Sequence, residues 1–286
     1  MKQILSSLLL CCFGAFMAPI AMSQTITNQY YELIEYQGID VDRLGELDAF
    51  LEKALIPSLN RMGIENVGAL SIEAPVEGKT SLYLLMPLSG AGQVASVLDA
   101  LGKDAAFLER GKSYLETNIK KPVYSRMRSE LLLAFDCFPK LVVPKQKTEN
   151  KDRLFELRVY ESPTERMGVL KVEMFNSGEV PIFLDCGIKP VFFGQAIIGD
   201  RMPTLTYMTV YDNAEQRDAC WKKFQSHPDW AKLKVVEKYA GAVSKIHKIN
   251  LLPRPIRNSS PTSPTTRRFG LPQNLERSSR HCHDGG

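Results

Sequence analysis

Residues 29–37 are rich in aromatic and branched side chains and predict a strand. Asp42 then stands where a helix N-cap belongs. Leu44, Leu47, Leu51, Leu55, Leu59 and Met62 recur at steps of three or four, which is one apolar helix face. Pro57 falls inside this face and predicts a kink or break, because an interior proline costs a helix about 3 kcal/mol. Gly63 is placed to end the helix. Residues 67–73 and 81–88 predict strands joined by a Glu77-Gly78 turn. Val94, Val97, Leu98, Leu101, Ala105 and Leu108 mark a second helix, weakened at Gly102, and 124–135 predicts a fourth strand. The order β-α-β-β-α-β is that of a ferredoxin-like unit.

The same pattern returns 124 residues later. Phe-Glu-Leu-Arg-Val-Tyr at 155–160 repeats the frame of Tyr-Glu-Leu-Ile-Glu-Tyr at 31–36, and the offset carries Pro57 onto Pro181, Gly63 onto Gly187 and Ile64 onto Ile188. A constant offset without a gap marks an internal duplication. The second unit reads as a strand over 154–161, a helix capped by Thr164 and continuing through a weaker stretch to Gly187, strands over 190–198 and 204–211, a helix over 214–225 interrupted at His227-Pro228, and a closing strand over 243–252. Between the units, residues 138–152 are polar and aperiodic and predict an exposed linker. The expected layout is a signal peptide at 1–23, a first unit at 24–137, the linker at 138–152, a second unit at 153–253 and a disordered tail at 254–286.

Charge and cysteine content change this picture little. The net charge of +4 resides wholly in residues 254–286, where six Arg face Glu276 and Asp284, so the preceding body is neutral and lacks the basic surface that nucleic acid would require. The tail, rich in Pro, Ser, Thr and Arg, has too little apolar content to offset ordering entropy. Lys2, the apolar run from Ile4 to Ala21 and the small residues before Gln24 have the layout of a cleaved export signal, which predicts a periplasmic or secreted protein without a stable membrane span. Of the cysteines beyond that segment, Cys137, Cys186, Cys220 and Cys282, none forms a C-x-x-C pair, and buried free thiols are expected.

Phe155-Glu-Leu-Arg-Val-Tyr, Gly187 before a Phe-rich strand, Thr206-Tyr-Met-Thr-Val-Tyr211 followed by Ala214-Glu-Gln-Arg217, and Trp221, Phe224 and His227-Pro-Asp-Trp230 resemble the NIPSNAP family over about 154–253. The likeness is fainter over 30–136. It implies an α+β fold in which two tandem ferredoxin-like units pair their sheets as an intramolecular dimeric α+β barrel. It implies little chemistry, since the family's activity is unsettled.

Strand alternation selects candidate ligand-binding residues. Arg158 and Tyr160 share a face with Glu156, opposite Leu157 and Val159, and Tyr207 shares one with Leu205, Thr209 and Tyr211. Together with His247 on the last strand they form a candidate polar and aromatic cluster between layers. The competing reading is an Arg158 ion pair with Glu156 or Glu161 and tyrosines that fill core. Hydrolase, metalloprotease, P-loop and dinucleotide motifs are absent. His227 and His247 do not make a zinc set, and His281-Cys-His-Asp284 lies in the tail, so neither metal nor cofactor is expected. Gly90-Ala-Gly92 is too slight for an anion site, and Glu161 with Glu165 reads as helix-start electrostatics. The leading expectation is a module that binds a small hydrophobic molecule or a protein partner. The alternative is a cofactor-independent oxygenase or isomerase-like enzyme with His247 or Tyr160 moving a proton.

Overall fold

The computed structural model describes residues 27–256. The proposed export signal, the segment from Arg257 onward, Cys282 and the His281–Asp284 run lie outside them. Eight strands close one barrel in the order β1-β3-β2-β8-β5-β7-β6-β4. The first unit contributes β1 (Tyr30–Asp40), β2 (Gly68–Ile72), β3 (Lys79–Leu88) and β4 (Arg126–Ala134). The second contributes β5 (Leu154–Glu161), β6 (Lys189–Ile198), β7 (Thr204–Tyr211) and β8 (Lys245–Pro253). Antiparallel seams join the two sheets. Leu70 to Ile72 of β2 pair with β8, and Leu131 to Ala134 of β4 pair with β6. At the second seam a Cβ on Gly194 would lie 2.7 Å from Leu132 Cβ, closer than side chains approach, so only glycine lets the strands meet there.

Each sheet has two buried faces. The inner faces share a barrel core that includes Tyr31, Leu33, Leu85, Leu157, Phe192, Met208 and Leu251. The outer face of the first sheet meets α1 (Leu44–Phe50), α2 (Ile56–Arg61), α3 (Gln93–Lys103) and α4 (Ala105–Leu115) over Ile34, Tyr36, Leu82, Leu84 and Met86. The outer face of the second meets α5 (Glu165–Met174), α6 (Val180–Asp185), α7 (Ala214–Ser226) and α8 (Pro228–Leu233) over Tyr160, Phe193, Leu205 and Tyr207.

The prolines do not break their helices. A π-helical turn precedes each of them, Leu51–Leu55 before Pro57 and Phe175–Glu179 before Pro181, again 124 residues apart. The Ile56 amide donates to the Leu51 carbonyl, and the Val180 amide to the Phe175 carbonyl, the i to i−5 spacing of a wide turn. The extra residue relieves the clash that proline makes with the turn before it, and proline's missing N–H falls at the start of the next helical segment, where it is tolerated. Asp42 is not the first cap, since Arg43 holds that place without a side-chain cap and pairs instead with Glu46 at 2.9 Å. Asp104 divides α3 from α4 and caps α4 through the amides of Ala106 and Phe107.

The stretch between the units is a strap with defined contacts. Phe138 is buried, the Val142 amide donates to the Val191 carbonyl, Gln146 Nε2 donates to the Val210 carbonyl, and Asp212 Oδ1 accepts from the amides of Lys147 and Thr148. Most of its polar side chains are exposed, and it is held mainly by backbone amides, by Phe138 and by the side chains of Gln146 and Thr148.

Candidate functional site

A cleft of about 940 Å³ lies between the outer face of the second sheet and its helices, within the size range of ligand pockets. β5 supplies the floor with Glu156, Arg158 and Tyr160, α5 supplies Lys171, and the π turn supplies Glu179. The aromatic wall is Trp221 and Phe224 of α7 with Trp230 of α8. The rim crosses the β2–β8 seam, where Arg217 Nη1 donates to Asn250 Oδ1 at 3.0 Å and Asn250 Nδ2 donates to Glu73 at 2.8 Å.

Charges in the floor are buried as pairs. Arg158 Nε lies 2.6 Å from Glu156 Oε1, and Glu156 Oε2 accepts from the Trp221 indole at 2.9 Å. The Arg158 guanidinium also sits 3.5 Å from the Trp221 ring centre, a cation–π contact. Lys171 Nζ lies 2.6 Å from Glu179 Oε2 and 4.6 Å from the Phe175 ring centre. Burial pushes the Glu179 carboxyl up, and the Lys171 ammonium opposes that shift. Arg158 Nη1 reaches the Tyr160 hydroxyl at 3.5 Å, and the Tyr160 and Tyr207 hydroxyls are 2.9 Å apart. Burial raises both phenols, so both remain protonated near neutral pH.

Arg158, Tyr160 and Tyr207 therefore lie together, though under the helices rather than inside the barrel. The register explains it. Arg158 is opposite Tyr207 and Tyr160 is opposite Leu205, all on the outer face. His247 does not join them. It is opposite Val159, so it points to the other side of the sheet, where its Nε2 lies 2.5 Å from Glu161 Oε1 and holds that carboxyl below its usual range. His227 ends α7 and caps α8, its Nδ1 accepting from the Asp229 amide. Among the described residues no group of His, Cys, Asp and Glu could hold a metal, and Cys137, Cys186 and Cys220 are free thiols.

Lys171, Glu179 and Glu156 were not among the sequence candidates, yet the duplication marks two of them. The 124-residue offset places Lys171 on Leu47, Glu179 on Leu55 and Arg158 on Ile34, and those first-unit residues are all buried in a dry apolar core. Register continues the comparison, since Ile34 is opposite Leu84 where Arg158 is opposite Tyr207. One unit thus keeps aliphatic residues at the positions of Arg158, Lys171, Glu179 and, by register, Tyr207, while the offset leaves Glu32 under Glu156 and Tyr36 under Tyr160.

Comparison with known proteins agrees with this architecture. A provisionally described monooxygenase from Fusobacterium nucleatum is 11% identical with a TM-score of 0.53, over 79% of this chain and 93% of that one. Another provisionally described monooxygenase, from Lactobacillus acidophilus, is 12% identical with a TM-score of 0.51, over 79% and 94%. A NIPSNAP-like domain protein of uncharacterised function from Burkholderia xenovorans is 17% identical with a TM-score of 0.33, over 41% of this chain and 97% of that one. At these identities the likeness to the first two is one of fold alone. No curated protein matches the chain. Residues 155–257, the stretch that carries most of the cleft, match the model of the NIPSNAP family.

Proposed function

We propose that the chain binds a neutral, planar and largely apolar small molecule in the cleft of its second unit. The observation that carries this reading is the contrast between the repeats: the same fold is built with a dry core in one half and with a polar, aromatic-walled cleft in the other. Burying ion pairs where aliphatic residues suffice rarely adds stability, and buried polar groups gathered at a cleft are a signature of ligand sites. The ligand's neutrality follows from the lining, in which Arg158, Lys171, Arg217 and Lys248 are balanced by Glu73, Glu156, Glu179 and Asp218. Its planarity follows from the rings of Trp221, Phe224 and Trp230, and its hydrogen-bonding group would meet the Tyr160 hydroxyl.

Both tryptophans of the chain line this cleft, so tryptophan emission, excited selectively over that of tyrosine, reports on it alone. Titration with two- and three-ring phenols and quinones is expected to quench the emission saturably. Trp221→Ala is expected to weaken binding up to about tenfold, because stacking on an aromatic face contributes about 0.5–1.5 kcal/mol. A panel that leaves the emission of the folded protein unchanged would overturn the reading.

Oxidation of the bound molecule is the second reading, favoured by the hydroxyl dyad at the floor and by the description of the two fold relatives as monooxygenases. A substrate methylene and one O2 would give a carbonyl and water, which balances without an external reductant. His247 stands on the far side of the sheet, so Tyr160 would be the proton-moving group, acting as a donor. An oxygen electrode decides this. Tyr160→Phe should lower O2 consumption at least a hundredfold while leaving binding within a few-fold, and equal consumption by the variant and the native protein would remove Tyr160 from the chemistry.

A further inference from the structure

A second cavity, of about 370 Å³, opens at one end of the barrel itself. Leu70, Leu85, Phe155, Val191, Met208 and Val210 of the inner faces line it, and the strap residues Leu141 and Val143 form part of its edge. Its chemistry differs from that of the cleft. Among the described residues no Asp or Glu lines it, and its only charged side chains are Arg153 and Arg254. Arg254 is engaged, with its guanidinium on both oxygens of Asp48. Arg153 is not engaged with any carboxylate among the described residues. Its Nε and Nη2 donate to the single carbonyl of Thr148 at 3.2 and 3.1 Å, and its Nη1 has no partner among them. A half-buried guanidinium with spare donors at the mouth of an apolar chamber is arranged for an anion that carries a hydrocarbon chain.

We infer that the barrel mouth is a binding site for an amphiphilic carboxylate, with its alkyl chain among the inner-face side chains and its head group on Arg153. The site is separate from the cleft, which lies on the opposite face of the same sheet, and the inference does not depend on what the cleft binds. The lining makes the two components separable. Methylenes entering the chamber should each tighten binding about fourfold, the equilibrium effect of burying one CH2, until the chamber is full. The charge contribution should vanish when either the carboxylate or the guanidinium is removed.

Isothermal titration of the full chain with octanoate, decanoate and 1-decanol tests this, each kept below its aggregation concentration. Decanoate is expected to bind more tightly than octanoate by at least tenfold. Arg153→Gln should weaken decanoate at least tenfold and leave 1-decanol unchanged. Gly68 has a negative φ and sits opposite Leu85, where a Cβ would meet Leu70 and Leu85 at 3.7 and 3.8 Å, so Gly68→Leu places a side chain in the chamber. That variant is expected to abolish binding. Val143→Trp, at a position 63% exposed on the mouth, is a second block that leaves the core untouched. Trp221→Ala should not change decanoate binding. Three results would each overturn the inference: no saturable binding of decanoate, binding that survives both blocking substitutions in folded protein, or binding lost with Trp221.

Discussion

Replacing Lys171 with leucine is expected to lower stability by about 3–5 kcal/mol at neutral pH, because it leaves the Glu179 carboxylate buried without its partner. The reciprocal Glu179→Leu should be comparably severe, stranding an ammonium among Phe175, Met174 and Trp230. The double substitution should return to within about 1 kcal/mol of the native protein, since a well-packed apolar pair of similar volume is often as stable as a buried ion pair. The first unit already uses that solution with Leu47 and Leu55. pH separates the variants. Without Lys171 the folded pKa of Glu179 rises further above the unfolded value, so the folded chain keeps a proton that the unfolded chain has released. Stability of Lys171→Leu is then fully present below about pH 4.3, the ordinary glutamate value, and is lost as pH rises through the raised folded pKa. The double variant has no such group and should lack this slope. Chemical denaturation of the three proteins across pH gives the answer, and a double variant as unstable as the single ones would mean that the helices of this unit need the charges in order to fold.

Phe193→Ala is expected to cost about 3–5 kcal/mol, the range for a fully buried phenylalanine truncated in a core. Phe193 has no exposed surface and touches five other rings. It stacks on Phe135 at 5.6 Å and on Tyr207 at 5.2 Å, and meets Phe138, Phe175 and Phe183 at 5.5, 5.5 and 6.1 Å between ring centres. Because Tyr207 rests on it, the loss should extend to the cleft and weaken binding there as well. Phe192→Ala, whose ring faces the barrel core beside Tyr31 at 5.0 Å, offers the control. It should cost a similar amount in thermal denaturation and leave binding in the cleft unaffected. Equal effects of the two truncations on binding would show that the cleft responds to global stability rather than to the support of Tyr207.

The architecture could be read in the sequence because it was written twice. Strand and helix periods repeated at a fixed offset, and Pro57 with Pro181 and Gly63 with Gly187 marked the same place in each helix. What the prolines would do could not be read, since a π turn differs from an α turn by one hydrogen-bond step and leaves no compositional trace. The contacts of the strap are hidden for a related reason: Gln146 and Thr148 look like solvent-facing residues until Val210 and Asp212, more than sixty positions away, are brought beside them. Alternation put Arg158, Tyr160 and Tyr207 together, because β5 and β7 pair without interruption. It could not place His247, whose face depends on the register between β8 and β5, and register is set by packing. Lys171 and Glu179 were legible all along in the mismatch between the repeats, where a charge stands opposite a leucine.

The two seams that close the barrel within one chain also fix how many clefts of this kind it carries. A barrel made from two identical copies of the second unit would carry two equivalent clefts related by symmetry, and occupancy of one could influence the other through the shared sheet. Here the partner unit has the same fold with its cleft filled in, so saturation of the cleft is reached at one molecule per chain and its binding curve is a simple hyperbola. The half without a cleft is then free to serve as ballast, a dry and stable body against which the charged half can tolerate its buried ion pairs.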